Sequence, residues 1–331
     1  MLPVSKKTVP MESRAEDELP SGTGWQYEPK WDGFRCLAFK DGDKVDLLSR
    51  NQRPFNRYFP ELVEAFEALP FKQLVLDGEI ALFLDGEVSF EALQLRLHPA
   101  ASRIQRLSIE TPANFVAFDL LVDPKGKDLR GEPLEARRAA LEALFTRVKT
   151  GRLQLSPCTT SRATAKRWLK QVGHGFDGIV AKRRDDLYHP GARAMVKYKL
   201  WKTIDAVVAA FYEDKAGRIE YLLLGLYDAD GLLHHVGRTR PPLEEAAMRK
   251  KLASVMGGEG FTGRSPGGKS RWSGKERKPV MLKPKLVAEV SADHITGDHM
   301  RHGSRFLRWR IDKKPRACTM DQLKGPRRAA A

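Results

Sequence analysis

The sequence predicts an α+β domain with largely antiparallel sheets, followed by a small Greek-key β-barrel. Three observations carry that prediction. The chain has 331 residues, 41% of them hydrophobic, which is enough for about two cores. Up to about residue 200, short apolar-alternating runs interleave with stretches of helical periodicity. After Lys199 the texture changes to β-rich runs with one helix-like stretch among them.

The first twenty residues mix charge and proline and are expected to be disordered. From Trp25 to Leu48, the runs WQYEPK, FRCLAFK and VDLLS are separated by Asp-Gly pairs at 32–33 and 41–42 that suit turns, so a β-meander is expected. Residues 60–69, PELVEAFEAL, place proline at a helix start and apolar side chains at helical spacing. QLVLDGEIALF at 73–83 reads as a strand broken at Asp77-Gly78. Helices are expected near 89–97, 133–149 and 161–172, and strands near 114–121, 178–183 and 194–199. Beyond Lys199, IDAVVAAFYE, RIEYLLLGLYD, LLHHVGRT and KLVAEVSAD are four strand-like runs. PLEEAAMRKKLASVM lies between the third and fourth, an order that suits an OB-type barrel. Segment 257–279 is rich in Gly, Ser and basic residues and reads as a loop or a nucleic-acid contact. The expected division is 1–20, 21–202, 203–316 and a tail at 317–331.

Composition narrows the function classes. No run of about 18 apolar residues exists, and the first twenty residues lack the apolar core of a signal peptide, so a cytoplasmic protein is expected. Three cysteines, far apart and odd in number, fit neither a disulfide framework nor a C-x-x-C zinc site. The histidines are scattered, and the stretch from His294 to His302 lacks the compact ligand set that zinc needs. The formal charge is +16, and residues 201–331 hold 26 Lys/Arg against 15 Asp/Glu. Such an excess suits a polyanion partner, because each neutralised phosphate releases counterions.

The chemistry-bearing stretch is Glu28-Pro29-Lys30-Trp31-Asp32-Gly33-Phe34-Arg35, with a lysine at a strand end beside a tight turn. Lysine is a poor nucleophile while protonated, and neighbouring cations lower its pKa, so a crowd of basic residues around a phosphate site activates it. Taken alone the pattern is weak, since Lys and Asp-Gly are common in surface turns. Five further segments and a dipeptide follow in order: Ser49-Arg50, Leu76–Ile80, Phe115–Asp119, Asp177–Lys182, Met195–Lys199 and Arg310–Lys313.

In these segments the sequence resembles the covalent nucleotidyltransferases, and within them the ATP-dependent DNA ligases, over residues 25–316. It is most similar to the small stand-alone bacterial repair ligases of the LigC group. The resemblance implies an ATP-grasp-like adenylation domain followed by an OB-fold. It also implies ATP and Mg²⁺ or Mn²⁺ as cofactors, nicked duplex DNA as substrate, a monomer, and a Ku-like end-binding protein as a possible repair partner. Lys30 then attacks the α-phosphate of ATP and releases pyrophosphate. AMP passes to the 5′-phosphate of a nick, and the 3′-hydroxyl displaces it. In-line displacements of this kind are accelerated by positioning and by cations on the non-bridging oxygens.

The resemblance also distributes roles. Arg35 and Arg50 bind a phosphate or the nick end, and a planar guanidinium suits either. Glu79 engages the ribose or the metal, and Asp177 the metal, where the family more often has glutamate. Phe118 stacks on adenine, whereas periodicity alone makes it a core residue. Glu28 accepts from the adenine exocyclic amine. Lys197 and Lys199 point to one face of a strand and meet the α-phosphate, with Lys182 assisting. Arg310, Asp312 and Lys313 orient the departing pyrophosphate, which requires the second domain to close and reopen about a hinge near 200–203. DNA contacts are expected from Arg271, Lys275, Arg277, Lys278, Arg301 and Arg305. GTP-using capping enzymes and RNA ligases share the lysine chemistry, and Glu28 with the Met195–Lys199 segment leans against them. An NAD-dependent ligase needs a nicotinamide-holding domain for which Lys30, so near the start, leaves no room. A non-catalytic OB-fold nucleic-acid-binding protein would explain the charge but not the ordered segments.

Overall fold

The computed structural model describes residues 1–170, 176–266, 277–292, 295–300 and 303–324. It divides into two compact units, 1–199 and 200–331.

In the first unit the chain begins in one sheet, crosses to a second, and returns to the first. One sheet runs β1-β11-β10-β2, built from β1 (Ser13–Ala15), β2 (Trp25–Trp31), β10 (Phe176–Arg183) and β11 (Met195–Tyr198). The other runs β4-β3-β5-β8-β9, from β3 (Phe34–Asp41), β4 (Lys44–Ser49), β5 (Gln73–Ala81), β8 (Asn114–Val122) and β9 (Leu153–Leu155). A short hairpin, β6 (Phe83–Leu84) with β7 (Glu87–Val88), follows β5. Pairing is antiparallel apart from β1 with β11 and β8 with β9. The expected meander is therefore only half present. β3 and β4 form a hairpin, but the chain changes sheet at Asp32-Gly33, so β2 pairs with β10 and not with β3.

Two further expectations are corrected. β5 is unbroken at Asp77-Gly78, because Gly78 is there for close packing: a Cβ would lie 2.5 Å from the Phe115 ring. The first twenty residues are ordered at several points. Val4, Met11 and Leu19 are buried, and β1 pairs with β11 from Ser13 to Ala15. Burying one such side chain contributes roughly 1.5–3 kcal/mol, enough to hold a short strap.

Helices cover these sheets. α1 (Pro60–Glu67) starts on Pro60 and buries Leu62, Ala65 and Phe66, and α2 (Phe90–Gln94) is capped by the Ser89 side chain. α3 (Ala101–Glu110) was not expected; it buries Ile104 and Ser108, with Leu107 half-buried beside them and Ile109 exposed. α4 (Leu134–Phe145) buries Leu134, Leu141 and Leu144 together with Arg137, whose guanidinium pairs with Asp119 at 2.8 and 2.9 Å. α5 (Arg162–Leu169) is capped by Ser161.

The second unit is a five-stranded antiparallel sheet ordered β14-β13-β12-β15-β18. Its strands are β12 (Lys202–Glu213), β13 (Ile219–Tyr227), β14 (Leu233–Thr239), β15 (Val280–Ala292) and β18 (Arg305–Trp309). α6 (Glu245–Ala253) lies between β14 and β15, and β16 (Ile295–Thr296) with β17 (His299–Met300) forms a small ribbon. A bridge from Thr239 to Ser304 ties the end of β14 to the start of β18 and closes the barrel. Its core is one cluster that includes Ile204, Val208, Leu224, Val236 and Val290. α7 (Asp321–Lys324) follows, within the expected tail.

Candidate active site

The first unit holds a pocket of about 700 Å³ lined by residues of both sheets and of the N-terminal strap. Lys30 reaches it because β2 ends there and the chain must cross to the other sheet. Gly33 makes the crossing tight: a Cβ would lie 2.2 Å from the Ile80 carbonyl oxygen and 2.8 Å from Glu79 Cγ. That closeness sets Glu79 beside the lysine.

Lys30 Nζ lies 2.9 Å from Asp177 Oδ1, and Lys199 Nζ lies 2.9 Å from Asp177 Oδ2. Burial opposes the charge on Asp177, but the two ammoniums outweigh it and hold the carboxyl below its usual range. Lys197 lines the same pocket. Desolvation, then the nearby charges of Lys30 and Lys199, push its ammonium below the ordinary lysine value. Burial pushes Glu79 up to about 8, against the pull of Arg35 and Lys30.

Another group gathers on Phe118, which is 7% exposed. Lys182 Nζ lies 4.7 Å and Arg35 Cζ 4.3 Å from its ring centre. Lys182 also donates to Glu28 Oε2 at 2.8 Å, while Gln26 Nε2 donates to Glu28 Oε1 at 2.8 Å. The Glu28 carboxylate is thus fixed in direction inside the pocket wall. Lys182 belongs to this group and is bonded away from Lys197 and Lys199.

Arg35 lines the pocket but is committed: it grips Asp77 through two bonds of 2.6 and 2.7 Å and reaches the Met11 carbonyl. Tyr188 donates to the same Asp77 at 2.7 Å and accepts from the Met11 N–H. Arg50 and Arg193 stand largely exposed, 3.9 and 3.7 Å from the Glu12 carboxylate of the strap. Sequence reasoning missed Asp77, Glu12, Tyr188, Arg193 and Gln26. The signal for Asp77 was present, since it stands two residues before Glu79 in one strand.

In the second unit Arg310 donates to Asp205 at 2.9 and 3.0 Å and to Asp312 at 2.9 and 2.8 Å, and Lys313 donates to Asp205 at 2.8 Å. Arg310 holds Asp312 at about 2. Of the expected DNA contacts, Arg277 is tied to Glu220 at 2.8 Å and lies over Tyr212, while Lys278 and Arg305 are exposed. Arg271, Lys275 and Arg301 lie outside the described residues, as do His294, His302 and the final seven positions.

Among the described residues no group of three His, Cys, Asp or Glu is placed to hold a metal. Magnesium needs no such cage: one or two carboxylates suffice when phosphates and water complete the shell. Asp177, whose carboxyl is held below its usual range, fits that requirement.

A mixed-sheet domain with a lysine in a cationic pocket, followed by an OB barrel, defines a nucleotidyltransferase. The family model described as "ATP dependent DNA ligase domain" matches residues 9–199, and that described as "ATP dependent DNA ligase C terminal region" matches 215–313. DNA ligase C2 of Mycolicibacterium smegmatis is 43% identical over 346 residues, covering 98% of this chain and 96% of that protein. The multifunctional non-homologous end joining DNA repair protein LigD of Mycobacterium tuberculosis is 32% identical over 299 residues, 88% of this chain and 37% of that one. The solved structure described as "DNA binding with a minimal scaffold: Structure-function analysis of Lig E DNA ligases" has the same fold. Its TM-score is 0.60 at 16% identity, over 92% of this chain and 99% of that one. The chain belongs to the ATP-dependent DNA ligase family, and it is an enzyme of that activity.

Proposed function

We propose that Lys30 is the residue that takes AMP, in a cycle that seals 3′-hydroxyl/5′-phosphate nicks in duplex DNA. The observation that carries this reading is the convergence of Lys30, Lys197 and Lys199 at one pocket whose wall also presents Phe118 and a fixed Glu28. Lys30 Nζ forms the new P–N bond at the α-phosphate as the bond to pyrophosphate breaks. Lys197 and Lys199 meet the charge on the non-bridging oxygens. Phe118 stacks on the base, and Glu28 accepts from the adenine amine, a contact that the guanine carbonyl would repel. Glu79, beside Lys30 in the pocket, engages the ribose. A Mg²⁺ bound with the triphosphate would be held by Asp177 and would supply charge neutralisation. The end-joining role that the name of LigD carries supports repair as the setting and an end-binding partner of Ku type.

The test is incubation of wild type and Lys30→Ala with Mg²⁺ and α-labelled ATP or GTP, scoring label retained on denatured protein freed of bound AMP. Label from ATP alone, absent in the variant, is expected. Label from GTP would move the assignment toward capping chemistry, and label surviving in the variant would remove Lys30 from the reaction.

A further inference from the structure

Asp205 is an acid within an apolar run, between Ile204 and Ala206, both fully buried. Its carboxylate, 12% exposed, accepts twice from Arg310 Nη1 and once from Lys313 Nζ. Its backbone is pinned separately: Gln322 Oε1 accepts from the Asp205 N–H at 3.0 Å, and Gln322 Nε2 donates to the Asp205 carbonyl at 2.9 Å. The other edge of Arg310 is held by Asp312, whose side chain is 61% exposed. The two carboxylates are therefore unequal. Asp205 is a fixed support, and Asp312 is a solvent-facing anion that a phosphate could replace in kind, since both offer paired oxygens to a guanidinium.

We propose that Asp205 is a positioning residue for the adenylylation step: it fixes Arg310 and Lys313 at the spacing a pyrophosphate group requires, and that group displaces Asp312 and leaves Asp205 in place. The proposal rests on the reading of Arg310–Lys313 as the segment that meets pyrophosphate. Pyrophosphate leaves only when Lys30 reacts with ATP, so the effect of losing Asp205 is confined to that step.

The experiment compares Asp205→Asn with wild type in two single-turnover reactions: self-adenylylation with ATP, and sealing of a nick whose 5′-phosphate already carries AMP. Adenylylation is expected to fall about 30-fold or more, with sealing of the preloaded nick within about threefold. The second reaction also reports that the variant is folded. Gln322→Ala, which loosens the same support without removing charge, is expected to give a smaller loss of the same kind. Unchanged adenylylation, or equal loss in both reactions, overturns the proposal. Arg310→Ala run alongside separates the causes. If it adenylylates normally, the pyrophosphate reading itself fails; if it is impaired while Asp205→Asn is not, only the role of Asp205 fails.

Discussion

The molecule has two basic clusters, and they are built on opposite principles. In the first unit, Lys30 and Lys199 share one carboxylate, Asp177, and Lys197 beside them makes no ion pair among the described residues. In the second, Arg308, Arg310 and Lys313 are matched by Asp205, Glu289 and Asp312. Yet the second unit's sequence carries the greater formal excess of positive charge. Net charge measures attraction at a distance, whereas local pairing decides which cations are left for a substrate. The lysine cluster of the first unit, with Asp177 as the one carboxylate its ion pairs share among the described residues, is the one suited to chemistry on phosphate.

Three measurements sharpen or break that contrast. The largest effect is expected at Lys197, the lysine of the first cluster that makes no ion pair among the described residues. Lys197→Ala should lower the rate of self-adenylylation by roughly 100-fold, while Arg308→Ala, in the neutralised cluster, should change it less than about threefold. Equal losses would mean that pairing does not sort the cations as argued.

A smaller effect concerns the pH dependence of stability. Glu79 is raised from its ordinary value to about 8 on folding. The unfolded chain then releases this proton at lower pH than the folded one, so the stability it contributes is whole below about pH 4.5 and is lost as pH rises to about 8. Glu79→Gln has no such loss. The Tm of the variant minus that of wild type should therefore grow from pH 5 to pH 9, by several degrees. A difference flat across that range would show that Glu79 is ionised throughout.

The smallest effect is on DNA affinity. Lys278→Ala should reduce the slope of log affinity against log salt by about 1, the value for one phosphate contact, and Arg277→Ala by less because that guanidinium is already occupied. The reverse order would place the contact on Arg277.

Much of the fold was legible because it follows local periodicity. Pro60 at a helix start, the buried stripe of Leu134, Leu141 and Leu144, and the β-rich texture after Lys199 each appear in the structure as elements. α3 was not foreseen, although Ile104 and Leu107 stand at helical spacing within it. Nor was the order of the N-terminal strap, which depends on Val4 and Met11 meeting Tyr188 and Met195 from far along the chain. In the site, the types of residue were readable but their partners were not. Arg35 read as a phosphate ligand and is held by Asp77; Lys182 read with the α-phosphate lysines and is bonded to Glu28.

By itself the sequence determined which side chains stand at strand ends beside tight turns, because the geometry of a turn is set within a few residues. It also determined where the barrel begins, because alternation of apolar residues is a local property. Tertiary structure alone decided that β2 and β3 belong to different sheets, that Asp177 lies between Lys30 and Lys199, and that Asp205 and Gln322 stand behind Arg310. Apart from Asp177 with Lys199, those pairings join residues more than a hundred positions apart. They are fixed by the packing of whole sheets, a constraint that no local stretch of sequence contains.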